Sequence, residues 1–186
     1  MPLPRGADRL SLIERVAAHL AERHVPFAVI GAAALAVHGV SRGTRDLDLF
    51  ALDRVCLDAA IWAPLEAGGT AVRVRRGDTD DPLAGVVRFT MSGEQPVDLV
   101  VGKSAWHAAI LSRTRVGFVA GVQLPVARAS DIVLLKLYGG GPQDAWDIEQ
   151  LLAAGDRSTL IAEVEASIVS LPPESRELWR QISRRA

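Results

Sequence analysis

The run Arg45-Asp46-Leu47-Asp48-Leu49-Phe50 sets two carboxylates one residue apart in an otherwise apolar stretch. In an extended strand, alternation puts Asp46 and Asp48 on one face and turns Leu47 and Leu49 to the core, with the two acids roughly 6.5–7 Å apart. Carboxylates held that close repel unless a cation lies between them. A hard divalent cation, Mg²⁺ (or Mn²⁺), takes one or two such carboxylates together with substrate phosphates. Val97-Asp98-Leu99-Val100-Val101 repeats the pattern with one acid in an apolar strand. A strand lying beside the first, at about 4.8 Å, brings Asp98 to the pair. Three carboxylates on neighbouring strands suit two metals roughly 3.5–4 Å apart, the arrangement used for phosphoryl and nucleotidyl transfer. A solitary Asp-x-Asp is more often a solvated strand face, so the reading depends on what surrounds it.

Upstream, Ile30-Gly31-Ala32-Ala33 puts a glycine where a strand turns into a helix. Backbone N–H groups at Gly31 and Ala32 then point out at the positive end of a helix dipole, a place for phosphates. Arg42 adds positive charge ahead of the acids, whereas alternation turns Arg45 away from them. Lys136 sits in the apolar helix Ile132-Val133-Leu134-Leu135-Lys136-Leu137. It needs either a partner, a phosphate or Asp144 and Asp147, or a path along apolar surface to water. Asp144 and Asp147 are about one helical turn apart and brace their helix against Lys136. His38 reads as a packed or hydrogen-bonded residue, and Trp146 and Trp179 as core or tail-packing residues. The four arginines from Arg176 to Arg185 read as a solvated helix face.

Positioning these residues requires alternating elements. Asp8 to His24 has helical apolar spacing, with Asp8 or Ser11 as its cap, and Phe27 to Ile30 reads as a buried strand. A small-residue helix follows from Gly31 to Val37. Further strands are expected at Thr44 to Phe50, Ala71 to Arg75, Val86 to Met91 and Val97 to Val101. Asp53 to Ala67 reads as one helix bent at Pro64, Ser104 to Leu111 as a short helix, and Val116 to Leu124 as a hairpin around Gly121. From Ala129 onward four helices are expected. The fold class is mixed α/β: a sheet core with flanking helices over residues 1–128, then a C-terminal helical segment over residues 129–186 packed on it.

Composition agrees. The chain has 186 residues, 49% hydrophobic and 23% charged, the balance of a globular protein and not of a disordered one. A net charge of −1 argues against a generally basic nucleic-acid binder but leaves 21 Lys and Arg residues for a local patch. Cys56 stands alone, which excludes an intramolecular disulfide and any Cys-rich zinc site. With no apolar signal core in Met1 to Ser11 and no stretch fit to span a bilayer, the expected setting is cytoplasmic, without membrane contact.

Gly31-Ala32-Ala33-Ala34-Leu35-Ala36-Val37-His38-Gly39, Arg42, Thr44 and Asp46-Leu47-Asp48-Leu49 together resemble the signature of the DNA polymerase β-like nucleotidyltransferase superfamily. The likeness is nearest to its minimal, abortive-infection-type branch, some members of which are toxins of toxin–antitoxin systems. The helix bearing Lys136 and the acidic helix Gln143-Asp144-Ala145-Trp146-Asp147-Ile148 are similar to later family segments, so the likeness spans Ile30 to Leu152, about two-thirds of the chain. It implies transfer of a nucleoside monophosphate from a nucleoside triphosphate to an acceptor hydroxyl on RNA or tRNA, a protein or a small molecule, and allows for a protein partner. Asp46, Asp48 and Asp98 are then the catalytic and metal-binding acids, and Gly31, Ala32, Arg42 and Lys136 the phosphate-binding set. Two positions depart from the pattern. Ala32 stands where a second glycine or a serine is common, and Gln143 lies where an arginine is common. These departures imply the alternative of a catalytically degenerate module of the same fold, serving as a binding or partner protein.

Overall fold

The computed structural model describes residues 10–185. Helix α1 (Leu12–Glu22) buries Leu12, Ile13, Val16, Ala17 and Leu20, the expected stripe. The Glu14 carboxylate accepts hydrogen bonds from the Ser11 backbone N–H at 2.8 Å and the Ser11 hydroxyl at 2.6 Å, fixing the helix start. The alternative cap, Asp8, lies outside the described residues. Strand β1 (Phe27–Ile30) leads directly into helix α2 (Gly31–Val37). Strand β2 (Leu47–Ala51) follows, then helix α3 (Ala63–Ala67) and strands β3 (Ala71–Arg76), β4 (Leu83–Thr90) and β5 (Val97–Gly102). Helix α4 (His107–Ser112) and the hairpin of β6 (Arg115–Val119) with β7 (Val122–Val126) complete the first part. Helices α5 (Ala129–Gly139), α6 (Pro142–Ala154), α7 (Arg157–Ser167) and α8 (Pro173–Arg185) close the described chain and pack on one another.

All seven strands form one mixed sheet in the order β3-β4-β5-β2-β1-β7-β6. At its centre β2 runs antiparallel to β1 and parallel to β5. One face of the outer half is apolar. Val87, Phe89, Val97, Leu99 and Leu49 are fully buried there, and Trp62 meets Phe89 edge-on with ring centroids 4.8 Å apart. Because side chains alternate, the intervening residues Asp48, Asp98 and Arg88 belong to the opposite face. The fold class expected from the sequence is therefore the one observed. Among the described residues, no helix is long and apolar enough to cross a membrane.

Three local expectations are corrected. The strand expected from Thr44 begins at Leu47, because the Thr44 hydroxyl accepts from the Asp46 N–H at 3.3 Å and donates to the Asp46 carbonyl at 2.8 Å. That local pairing competes with the sheet ladder, so Asp46 lies in a bend just before β2. The single helix expected over Asp53 to Ala67 is cut into two 3₁₀ turns and the short α3. Asp53 and Asp58 each cap a new turn by accepting from Val55 and Ala60 N–H, and Pro64 sits in the first turn of α3, where a proline is tolerated. Trp146 is 42% exposed and not a core residue, whereas Trp179 is buried.

Leu49 is the keystone on the apolar face, fully buried and paired with Val29 on one side and Leu99 on the other. Leu49→Ala should lower stability by about 2–5 kcal/mol, read as a fall in denaturation midpoint at unchanged slope.

Candidate active site

The β2–β5 register sets Asp48 directly across from Asp98, and the β4–β5 register sets Arg88 across from Asp98. The two carboxylates on adjacent parallel strands thus share the face opposite the apolar one, as their spacing in the sequence requires. Asp46 reaches the same place from its bend through Arg88. One guanidinium nitrogen of Arg88 donates to Asp98 Oδ2 at 2.8 Å and the other to Asp46 Oδ1 at 3.0 Å. Arg88 was not singled out from the sequence. Its signal was a lone charge within the apolar run Leu83–Thr90, at a position that alternation places opposite Val87 and Phe89.

Burial and mutual repulsion load this site. Desolvation, then the charges of Asp98 and Asp46, push the Asp48 carboxyl up to about 6, against the opposing pull of Arg42 and Lys136. Desolvation also raises Asp98, with Arg88 pulling the other way. Asp98 Oδ1 is buried and has no hydrogen-bond partner. Among the described residues no three Asp, Glu, His or Cys side chains converge as a ready metal-binding group, and the Arg88 guanidinium bridges two of the three expected ligands. The donor set still suits a hard cation: all oxygen, crowded with negative charge, and with one oxygen unsatisfied.

Gly31 is required by Asp48. Its φ is +63°, and a Cβ at this position would overlap the Asp48 carboxylate, lying 2.9 Å from its Cγ. The turn from β1 to α2 therefore passes its backbone against the acid pair. The Ala32 side chain is buried, so only its main chain can face a ligand.

Behind this turn lies a second charged group. Asp147 is fully buried, and its Oδ2 lies 2.5 Å from Lys136 Nζ. Lys136 also donates to Asp144 Oδ1 at 3.0 Å, and Arg42 Nε lies 3.5 Å from Asp147 Oδ1. Gln143, where an arginine was expected, donates to Asp147 Oδ1 at 3.4 Å. Of the two partners the sequence allowed for Lys136, the structure shows the acids, and Asp144 and Asp147 brace their helix as anticipated. His38 hydrogen-bonds the Ala127 carbonyl at 2.8 Å, a structural role. Arg45 is exposed and makes no ion pair among the described residues.

No protein-family model and no curated protein sequence matches this chain. Solved structures do. The solution structure of the antibiotic-resistance factor ANT(2'')-Ia is similar over 83% of this chain and 88% of its own, with a TM-score of 0.54 at 17% identity. A proposed nucleotidyltransferase of Thermotoga maritima is similar over 76% of this chain and 91% of its own, with a TM-score of 0.52 at 15% identity. At these identities the likeness establishes the fold alone, a mixed α/β sheet with flanking helices shared with these two structures.

Two outcomes follow from the charges. In the metal-free fold Asp48 holds its proton more tightly than the unfolded chain does, so its ionisation costs stability as pH rises from about 4 to about 6. Asp48→Asn should therefore be more stable than the wild type at neutral pH, by up to roughly 3 kcal/mol, a gain that vanishes below pH 4. Thermal melts across pH in a chelator check this. Arg88→Gln removes a cation that competes for Asp46 and Asp98, and should tighten Mg²⁺ binding by roughly fivefold in calorimetric titration.

Proposed function

We propose that this chain is a metal-dependent nucleotidyltransferase, moving a nucleoside monophosphate from a nucleoside triphosphate to an acceptor hydroxyl and releasing pyrophosphate. The observation that supports this above all is the pairing of Asp48 with Asp98 across parallel strands. Asp46 is tied to the same cluster, and the Gly31 backbone packs against it.

In this reading Asp46 and Asp48 hold Mg²⁺ or Mn²⁺, with Asp98 completing the set. When bound, the cation neutralises phosphate oxygens and the charge that develops on them during transfer. Asp98, raised by burial and with Oδ1 unsatisfied, accepts the proton of the attacking hydroxyl. Backbone N–H groups at Gly31 and Ala32 take the β- and γ-phosphates. Lys136 donates to Asp144 and is ion-paired with Asp147, and its remaining donor capacity serves a phosphate. Asp147 then sets how far Lys136 and Arg42 can reach. As in other phosphoryl transfers, positioning and electrostatics supply most of the rate. One structural neighbour is an antibiotic-resistance factor, so a small-molecule acceptor is one class to assay; RNA and protein acceptors are the others, and a toxin–antitoxin role would require one of those.

A second reading has its own support. Arg88 bridges Asp46 and Asp98, and Arg42 and Lys136 are already paired, which is how a degenerate binding module would stabilise a site it no longer uses.

Thermal melting against each of the four nucleoside triphosphates, with Mg²⁺ and with chelator, separates the two readings. Ligand at a hundred times its dissociation constant stabilises by about 2.7 kcal/mol, a rise of several degrees for a chain of this size. The enzyme reading expects a metal-dependent rise for the wild type, none for Asp46→Asn/Asp48→Asn, and pyrophosphate release on adding acceptor. A metal-independent rise, retained in the double variant, favours the degenerate module.

A further inference from the structure

The same registers that pair Asp48 with Asp98 and Asp98 with Arg88 continue one strand further, setting Arg73 of β3 directly across from Arg88. Directly paired residues project from the same face of a sheet, and so do residues two apart on one strand. Arg73, Arg75 and Arg88 therefore occupy one face at neighbouring positions, in line with the acids and on the outer side of Asp98. Arg73 and Arg75 are exposed and make no ion pair or side-chain hydrogen bond among the described residues. Like charges set directly opposite each other destabilise a strand pair. Arg88 is balanced by Asp98 of β5 and by Asp46, whereas Arg73 and Arg75 meet no acid of β3 or β4 on this face. Asp78 and Asp81, in the β3–β4 turn, have their carboxylates engaged by backbone N–H groups.

We infer that this edge of the sheet is the acceptor side of the site, and that the acceptor is a single-stranded nucleic acid. Its phosphates lie along Arg73 and Arg75 and its terminal hydroxyl points to Asp98. This rests on the nucleotidyl-transfer reading above. The class follows from the charge pattern: a run of arginines leading away from the proton-accepting carboxylate suits an acceptor carrying several negative charges, and disfavours a polycationic one. The residues on this face of β3 and β4 are Ala71, Arg73, Arg75, Leu83, Val86, Arg88 and Thr90, with no aromatic platform for base stacking. Recognition is therefore of backbone phosphate, sequence-tolerant and strongly salt-dependent.

Fluorescence anisotropy with labelled 12-nucleotide RNA and DNA strands, over a range of salt, tests the assignment on the wild type and on Arg73→Gln/Arg75→Gln. The variant should bind at least about tenfold more weakly near 0.1 M salt, and the log–log salt slope should fall by about 1.4, from roughly 0.7 per charge removed. Its melting temperature should hold or rise, because a like-charge pair is relieved, and its nucleoside triphosphate melting shift should match the wild type. RNA and DNA arms show which sugar is preferred. Unchanged affinity and slope in the variant would overturn the assignment, as would no strand binding by the wild type. Loss of the triphosphate shift in the variant would also overturn it, by giving these arginines to the nucleotide. If the wild type shows no triphosphate shift yet binds strands through Arg73 and Arg75, the shelf stands and the transfer reading fails.

Discussion

Repulsion among three carboxylates is the interaction around which this sheet is organised. Asp48 and Asp98 are locked into register by the β2–β5 ladder, and Asp46 is brought to them from its bend. None can move away without breaking backbone hydrogen bonds or the turn held by Thr44. The molecule answers with charge placed from outside the trio, by Arg88 from β4 and, at longer range, by Arg42 and Lys136. Even so, burial first and then the charges of Asp98 and Asp46 hold Asp48 above the ordinary carboxylate range. In the nucleotidyl-transfer reading, the negative charge gathered at the centre of the sheet is what a cation would neutralise.

The second charged group solves a different problem. Asp147 is fully buried on α6, and an unpaired carboxylate there would cost several kcal/mol. Lys136 from α5 and Arg42 from the loop before β2 both meet it, so one buried acid ties a C-terminal helix to the segment that delivers Asp46 and Asp48. The helical segment is thereby coupled to the acid pair by electrostatics as well as by packing. Lys136 is held by Asp144 and Asp147 close enough to Asp48 to lower its pKa.

Much of this was legible in the sequence, because period-two alternation around Asp48 and Asp98 leaves little freedom: once Leu47, Leu49, Val97 and Leu99 go to the core, both acids must face the other way. Gly31 was legible as a turn, but its steric debt to Asp48 was not, since that depends on how closely α2 returns to β2. Arg88 and Arg73 were missed for a related reason. Their meaning lies in strand order and register, which place residues from separate stretches of chain side by side, and local pattern carries no such information. The lost helix over Asp53 to Ala67 shows the opposite limit. There, apolar spacing suggested one element, while two aspartates cut it by bonding their own backbone.

Arg88 raises the question of whether its bridge between Asp46 and Asp98 blocks the site or only occupies it. Exposure decides this. The Arg88 side chain is 42% exposed, so its ion pairs are screened by water and hold it by no more than about 1 kcal/mol each. In the nucleotidyl-transfer reading, a divalent cation would bring twice the charge to this part-buried group and relieve Asp48 as well as its neighbours. That exchange would free the Arg88 guanidinium from the acids. It remains on the β3–β4 face beside Arg73, where leaving the acids removes its only counter-charges and makes an anion the best available partner. In the nucleotidyl-transfer reading, filling the acid trio would raise the pull of the same sheet edge on phosphate, so the two ends of the row would favour each other's ligands.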